Sequence, residues 1–313
     1  MNEFDWILPW LSHELALLLH AGFLKGAPLL WAALGGAFSE RSGIVNIGLE
    51  GMMLTGAFCA VAVSGLTGNP WWGLAAGAAG GGLAGGLHAG VCLRGRADQI
   101  VSGMGINLIA MGLTGFLLFQ IFEARGNSPE VPKLPAITAA PFTVPGLNEL
   151  LFPLSMLHVA LAGVWLVTLM VFYRTRFGLR LRACGEDPRV AAAAGVRVNA
   201  YRYPAVILSG ALAGLGGVQL SLSDISQFST GMTNGRGFVA LAILICSGWR
   251  PGRAAAICLF FGCAEALAER LQGAWPALPS RLLLAFPFLL ALLVLSCGRQ
   301  TMRAPQALGK DLG

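Results

Sequence analysis

Residues 27–64 read APLLWAALGGAFSERSGIVNIGLEGMMLTGAFCAVAVS, which is two apolar runs separated by a polar stretch at residues 39–46. A helix needs about 20 apolar residues to cross the hydrocarbon core of a bilayer. We interpret residues 27–64 as one membrane span with a broken helix at residues 39–46, where a Glu–Arg pair is flanked by serines. Irregular backbone is tolerated at membrane depth only where protein or a water-filled cavity covers it.

The remainder of the chain is similarly apolar. Of its 313 residues, 56% are hydrophobic and 12% are charged, whereas about 25% are charged in an average soluble domain. This composition excludes most soluble enzyme folds. Residues 1–26 are interpreted as an interfacial helix or a short span. The sequence predicts an all-α, polytopic transmembrane helix bundle of eight or nine spans, the others lying at residues 71–92, 100–122, 155–173, 204–222, 237–248, 254–271 and 281–297.

The basic residues predict the orientation of the bundle. The segment 174–203 carries seven arginines, and the positive-inside rule places such a segment in the cytoplasm. Alternation of the spans then places residues 94–96, residues 250–253 and the C-terminus on the same side. The net charge of +6 is explained by this topology, and nucleic-acid binding is not needed to explain it.

Polar side chains at membrane depth are costly and mark functional sites. The candidate pathway residues are Ser39, Glu40, Arg41, Ser42, Asn46, Glu50, Asn107 and Arg236. Two interpretations of residues 39–46 stay open: a substrate site near the midplane, or a structural network or short cytoplasmic turn. For Asn107, the alternative to a place in the cavity is a hydrogen bond that packs two helices together.

Two further patterns concern the arrangement of the helices. The polar stretch 223–236 precedes a short apolar run in the second half, just as residues 39–46 interrupt the first half. A pair of interrupted segments is typical of transporters built from inverted repeats. The run 71–92 holds eight glycines, and small residues let helices approach closely in lipid. We therefore expect inverted repeats and a glycine-rich helix packed inside the bundle, away from lipid.

The sequence has none of the usual patterns of a metal site or a catalytic centre. The four histidines are scattered and the seven cysteines form no CxxC pair, so the spacing expected of metal ligands is missing. The sequence contains no recognisable Ser/His/Asp set and no HExxH motif, so it gives no support to a membrane-embedded enzyme. An ion-coupled transporter would need carboxylates deep in several spans, and apart from Glu40 and Glu50 the deep spans are nearly free of them.

Residues 187–195 predict a short helix in the basic segment. Asp187 suits the N-cap position, Pro188 the first helical position and Gly195 a left-handed stop. A two-turn helix of small side chains between basic flanks would fit a groove on a cytosolic partner. The alternative is an ordinary connecting helix.

Several stretches resemble one family. ALGGAFSERSGIVNIGLEGMMLTGAF, at residues 33–58, resembles the signature region of permease subunits of nucleoside-type ABC importers. These belong to a broad family of permeases for branched-chain amino acids, ribose-like sugars and nucleosides. The basic segment resembles that family's cytoplasmic coupling loop, and further similar stretches lie at residues 97–103, 209–220, 235–242 and 303–309. The resemblance implies a permease domain over residues 27–309 and a C-terminal tail at residues 310–313.

The resemblance also implies partners and a substrate. The partners would be a cytosolic ABC ATPase, a second permease forming a heterodimer and an extracytoplasmic substrate-binding lipoprotein, in the plasma (inner) membrane and without a cofactor. The chain has no GxxxxGK[ST] loop, so it is not expected to be an enzyme. The substrate would be a purine or pyrimidine nucleoside or a related ribosyl compound, with a simple sugar or a branched-chain amino acid as the alternative. The residues coupled to the ATPase would be Gly185, Glu186, Asp187, Pro188, Arg189, Ala193 and Gly195.

Overall fold

The computed structural model describes residues 7–137, 153–274, 289 and 304–310, and these form a bundle of helices. The helices are α1 (Ile7–Arg41), α2 (Leu49–Thr67), α3 (Pro70–Ala89), α4 (Gln99–Phe122), α5 (Met156–Arg174), α6 (Arg176–Glu186), α7 (Pro188–Ala193), α8 (Val198–Val218), α9 (Arg236–Cys246) and α10 (Pro251–Ala274). Short π-helical turns, Gly90–Arg94 and Gln219–Ile225, extend α3 and α8. Strands β1 (Ala136–Ile137) and β2 (Leu154–Ser155) pair antiparallel. The expected all-α polytopic fold is confirmed.

The first helix corrects the interpretation of residues 1–64. Helix α1 runs without a break through 35 residues and includes Pro28, so residues 7–26 are not a separate interfacial helix. Residues 27–64 are not one broken span, because a turn at residues 42–48 separates α1 from α2. Glu14 and Lys25 do not end α1, because both residue types favour a helix, and each of them pairs with α10. Glu14 accepts a hydrogen bond from Arg270 at 3.0 Å, and Lys25 lies 2.5 Å from Glu269.

The described residues contain five helical segments long and apolar enough to cross a membrane. They are residues 14–41, α2, α4, α5 and residues 198–225. Helix α9 has 11 residues, which at 1.5 Å per residue covers only about half of the hydrocarbon core. Of the expected span at residues 281–297, the structure describes only residue 289. The count of eight or nine spans and the inverted repeats therefore stay predictions.

The glycine-rich helix α3 packs against α8 with the two backbones in direct contact. A Cβ atom placed on Gly81 would lie 2.3 Å from the Gly210 carbonyl oxygen. The close packing expected of this helix is thus confirmed for one face. We expected the whole of α3 to be packed inside the bundle. This is wrong for its other face, where Leu83 is 76% exposed. Gly77, Gly81 and Gly85 recur every four residues along the face that contacts α8, and the close approach is confined to that face.

Several basic segments meet at one end of the bundle, which we call the basic end. It comprises the turn at residues 42–48, residues 94–98, helices α6 and α7, residues 247–250 and residues 304–310. Hydrogen bonds join these segments. The Val45 amide donates to the Gln99 side chain at 2.7 Å, and the Ala307 amide donates to the Gly185 carbonyl at 2.9 Å. The segments that the positive-inside rule assigned to one side of the membrane therefore lie together.

Candidate functional site

The turn at residues 42–48 closes on itself through buried hydroxyl groups. Ser39 Oγ donates to the Ile44 carbonyl at 2.8 Å, and Ser42 Oγ donates to the Ser39 carbonyl at 2.6 Å. Neither serine side chain is exposed. Both hydroxyls are therefore used to hold the backbone of the turn, which protein atoms cover.

Glu40 and Arg41 connect the end of α1 to the residues that follow α9. The Trp249 indole Nε1 donates a hydrogen bond to the Glu40 carboxylate. The Arg41 guanidinium donates to the carbonyls of Gly248 and Trp249, at 3.1 Å and 3.0 Å. A charged guanidinium bound to two backbone carbonyls fixes the position of both residues. The Glu–Arg pair of the sequence thus forms a clamp on residues 248–249.

The two asparagines among the candidates bridge helices. Asn46 Nδ2 donates to Ser209 Oγ on α8 at 2.8 Å. Asn107 accepts from the Gly51 amide at 2.7 Å and donates to the Ile47 carbonyl at 3.0 Å. The amide of Asn107 therefore makes the packing hydrogen bonds of the alternative interpretation, and it joins α4 to the start of α2.

Glu50 caps the short helix α9. Its carboxylate accepts hydrogen bonds from the amides of Gly235 and Gly237, at 2.8 Å and 2.6 Å. The first amides of a helix have no partner within it and carry a partial positive charge. Gly237 approaches so closely that an added Cβ would lie 2.4 Å from the Glu50 amide nitrogen. Glu50 thereby fixes where α9 begins.

A cavity of about 390 Å³ opens between α1, α5, the π-helical turn after α8 and residues 133–136, away from the basic end. Arg236, the first residue of α9, is the one predicted candidate that lines it. Its Nη2 lies 2.5 Å from the Glu265 carboxylate on α10. Its Nε is buried and has no hydrogen-bond partner within the described residues. The other lining residues are Leu24, Lys25, Pro28, Lys133, Ala136, Pro153, Ser155, His158, Leu220, Ser223, Asp224, Ile225 and Met232.

A polar network forms one wall of this cavity. Gln219 Nε2 lies at its centre, 2.8 Å from Ser223 Oγ and 3.2 Å from both Asp224 Oδ1 and His158 Nε2. The ring of His158 lies 2.9 Å from Ser155 Oγ. The network offers a carboxylate, an imidazole and hydroxyls to a polar solute, which is the donor and acceptor set that positions a ligand in an otherwise apolar pocket.

The segment of the predicted coupling loop forms two helices at the basic end. Asp187 Oδ1 accepts from the amides of Arg189 and Val190, at 2.9 Å and 3.1 Å, Pro188 starts α7, and Gly195 has a φ of 82°. The caps and the left-handed stop expected from the sequence are confirmed. Glu186, Asp187, Arg189, Ala193 and Gly195 are exposed, whereas Gly185 is buried.

This segment contacts the turn at residues 42–48 directly. A Cβ on Gly185 would lie 2.3 Å from the Arg41 carbonyl oxygen. The Arg202 guanidinium donates to the carbonyls of Ser42 and Cys184, at 3.0 Å and 3.3 Å. Burial raises the pKa of the Cys184 thiol, so the group next to this contact is a protonated packing residue. Helix α6, which leads directly into α7, is thereby joined to the clamp that holds residues 248–249.

Comparison with known proteins decides the family. The family model described as "Branched-chain amino acid transport system / permease component" matches residues 18–295. This chain belongs to that permease family. It is 36% identical to the guanosine ABC transporter permease protein NupQ of Bacillus subtilis, over 94% of this chain and 96% of the relative.

Two other relatives widen the comparison. The chain is also 36% identical to the nucleoside ABC transporter permease protein NupC of Lactococcus lactis, over 95% of this chain and 96% of the relative. A more distant relative is the glucose ABC transporter permease protein TsgB13 of Haloferax volcanii, which is 28% identical over 71% of this chain and 61% of its own length. No solved structure shows a significant match.

In this membrane permease, the eight candidates fall into two groups. Seven hold backbone or helices together, and Arg236 alone of the eight lines the cavity. The sequence interpretation missed the network around Gln219. One signal could have found it: Gln219 and Ser223 lie four residues apart in an apolar helix, followed directly by Asp224. The π-helical turn there is a second mark, because such turns are frequent at functional sites.

Proposed function

We propose that the chain is the permease subunit of an ATP-driven ABC importer and forms the translocation pathway for nucleosides or related ribosyl compounds. The observation that carries this proposal is the similarity to relatives named for guanosine and nucleosides, which extends over nearly the whole of each chain. The substrate of a relative is transferred here as a proposal about this permease.

The proposed complex has four kinds of component. ATP hydrolysis would occur on a separate cytosolic ATPase that contacts α7, and a second permease would complete the pathway as a heterodimer. A substrate-binding lipoprotein would deliver the solute on the extracytoplasmic side. The permease would lie in the plasma (inner) membrane with its basic end and C-terminus in the cytoplasm. The exposed, capped helix α7 supports the proposed site of coupling, as do the contacts of the adjoining residues Gly185 and Arg202 with Gly43 and Ser42 of the turn.

The cavity next to Arg236 is the proposed position of the solute. Its volume of about 390 Å³ lies within the usual range for ligand pockets, about 300–1,000 Å³. A ribosyl compound offers hydroxyls and ring heteroatoms, which suit the carboxylate, imidazole and guanidinium of the wall. A pathway role for the other seven candidates stays a prediction. Their contacts support a different contribution, in which the turn carries movement of α7 to α9.

Sugar transport is the second candidate function. It is favoured by the Haloferax volcanii relative, whose name assigns it to glucose. A sugar would use the same hydroxyl partners in the cavity but would present no base. The description of the family model favours a branched-chain amino acid as a further alternative, and uptake competition separates the three classes.

The test is uptake of labelled guanosine and uridine by cells with and without the gene. Unlabelled ribose, xylose and leucine serve as competitors, and uptake of their labelled forms is measured in parallel. The deletion strain is complemented with the wild-type gene and, separately, with the variant Leu83→Ala. This variant controls for the effect of any substitution on the protein, because Leu83 is exposed and lies outside the cavity lining. We expect loss of nucleoside uptake on deletion, full recovery with both genes, and competition by nucleosides only. Unchanged nucleoside uptake together with lost sugar or leucine uptake would refute the proposed substrate but keep the family.

A further inference from the structure

The charges around the cavity balance within the part of the chain that the structure describes. Three lining side chains are positive and one is negative, and two further carboxylates lie on α10 behind the wall, where each pairs with a lining cation. The positive groups are Lys25, Lys133 and Arg236, and the carboxylates are Asp224, Glu265 and Glu269.

The pair between Arg236 and Glu265 is the better shielded of the two. The side chains of Arg236 and Glu265 are 21% and 23% exposed, whereas those of Lys25 and Glu269 are 34% and 57% exposed. Charge pairs that are shielded from water are screened less than exposed ones. Of the two carboxylates on α10, Glu265 therefore cancels the charge of its lining cation more effectively than Glu269 does.

Arg236 keeps hydrogen-bonding capacity after this pairing. Only its Nη2 contacts Glu265, and its buried Nε has no partner within the described residues. The backbone beside it is fixed, because Glu50 binds the amides of Gly235 and Gly237. The guanidinium is thus held in place with its charge matched by Glu265.

We propose that Glu265 is a specificity-determining residue, which cancels the charge of Arg236 so that the cavity accepts an uncharged nucleoside and rejects a phosphorylated one. This inference rests on the proposed function, since it concerns the solute of the same cavity. A neutral solute can accept a hydrogen bond from the guanidinium. A phosphate would instead have to compete with the Glu265 carboxylate for Arg236 and would face its repulsion.

Removing the carboxylate would expose the charge of Arg236. One uncompensated positive charge a few ångström from a phosphate is worth about tenfold in affinity when water partly screens it. Glu265→Gln keeps the size of the side chain and its carbonyl acceptor. We therefore expect this variant to gain affinity for guanosine 5′-monophosphate of about that size, and to change its affinity for guanosine by less than about threefold.

The experiment measures equilibrium binding of labelled guanosine and labelled guanosine 5′-monophosphate to the purified importer complex, without the substrate-binding protein. Glu14→Gln is the matched control, because Glu14, on α1, also pairs with an arginine of a neighbouring helix, Arg270 on α10, but lies outside the cavity lining. A double variant, Glu265→Gln with Arg236→Gln, restores neutrality and is expected to lose the gained monophosphate affinity. It also shows whether loss of the ion pair by itself alters binding.

Two outcomes would overturn the inference: unchanged monophosphate affinity in Glu265→Gln, or the same gain in Glu14→Gln. A second measurement separates this failure from failure of the proposed function. Inorganic phosphate, compared with chloride at equal ionic strength, should raise the apparent melting temperature of the Glu265→Gln complex but not that of the wild type. Anion stabilisation without guanosine binding by the wild type would support the charge inference and count against the nucleoside substrate.

Discussion

The contact between α3 and α8 provides a sharp test of the packing. We consider Gly81→Ala, which adds one methyl group. The added Cβ would lie 2.3 Å from the Gly210 carbonyl oxygen and 2.7 Å from the Gly214 Cα. Both are backbone atoms, so no side chain can rotate away. Ordinary contact with a Cβ begins at 3.4 Å, so the two helices must separate by roughly 1 Å, which forfeits a large part of their dispersion contacts.

The expected cost follows from this displacement. Overpacking of a close-packed interface costs about 1–3 kcal/mol, and we expect the upper half of that range because the obstructing atoms are backbone. For a chain of 313 residues, about 2 kcal/mol corresponds to a fall of roughly 3 °C in the melting temperature.

Gly86→Ala is the matched control on the same helix. Its added Cβ would lie 3.7 Å from the Ile207 Cγ1, which is an ordinary contact. Alanine also favours helix over glycine by up to about 1 kcal/mol, so this variant should be as stable as the wild type or slightly more stable. The assay is thermal unfolding of the purified permease in detergent, followed by size-exclusion chromatography. Equal melting temperatures for the two variants would refute the close backbone contact.

Two further predictions concern helix starts. Glu50→Ala leaves the first amides of α9 without partners at membrane depth and should abolish uptake, whereas Glu50→Gln retains one acceptor oxygen and should keep part of the uptake. Transport rates corrected for protein amount test this, and equal rates for the two variants would contradict it. Asp187→Ala removes the N-cap of α7 at a cost of about 1 kcal/mol and should slow ATP-driven uptake without reducing insertion. Asp187→Asn retains the acceptor and should match the wild type; a slow Asp187→Asn variant would show that the carboxylate charge, not the cap, matters.

Local signals in the sequence determined several features of this permease. Asp187, Pro188 and Gly195 occupy the cap, first-turn and stop positions that their backbone preferences dictate. The serines at residues 39 and 42 bond within five residues of themselves. The glycines of residues 71–92 indicated a closely packed helix because a missing Cβ is itself what permits close approach. These features depend on neighbouring residues, so they can be read along the chain.

The tertiary structure alone decided the features that depend on distant partners. Lys25 of α1 pairs with Glu269 of α10, which lies 244 positions away in the sequence. Glu50 resembles a pathway residue in the sequence, yet it caps α9 through amides nearly 190 positions away. Arg236 lines the cavity with its charge matched by Glu265. A polar residue at membrane depth must find a partner, and the sequence shows the need for one, whereas only the folded bundle shows which residue meets it.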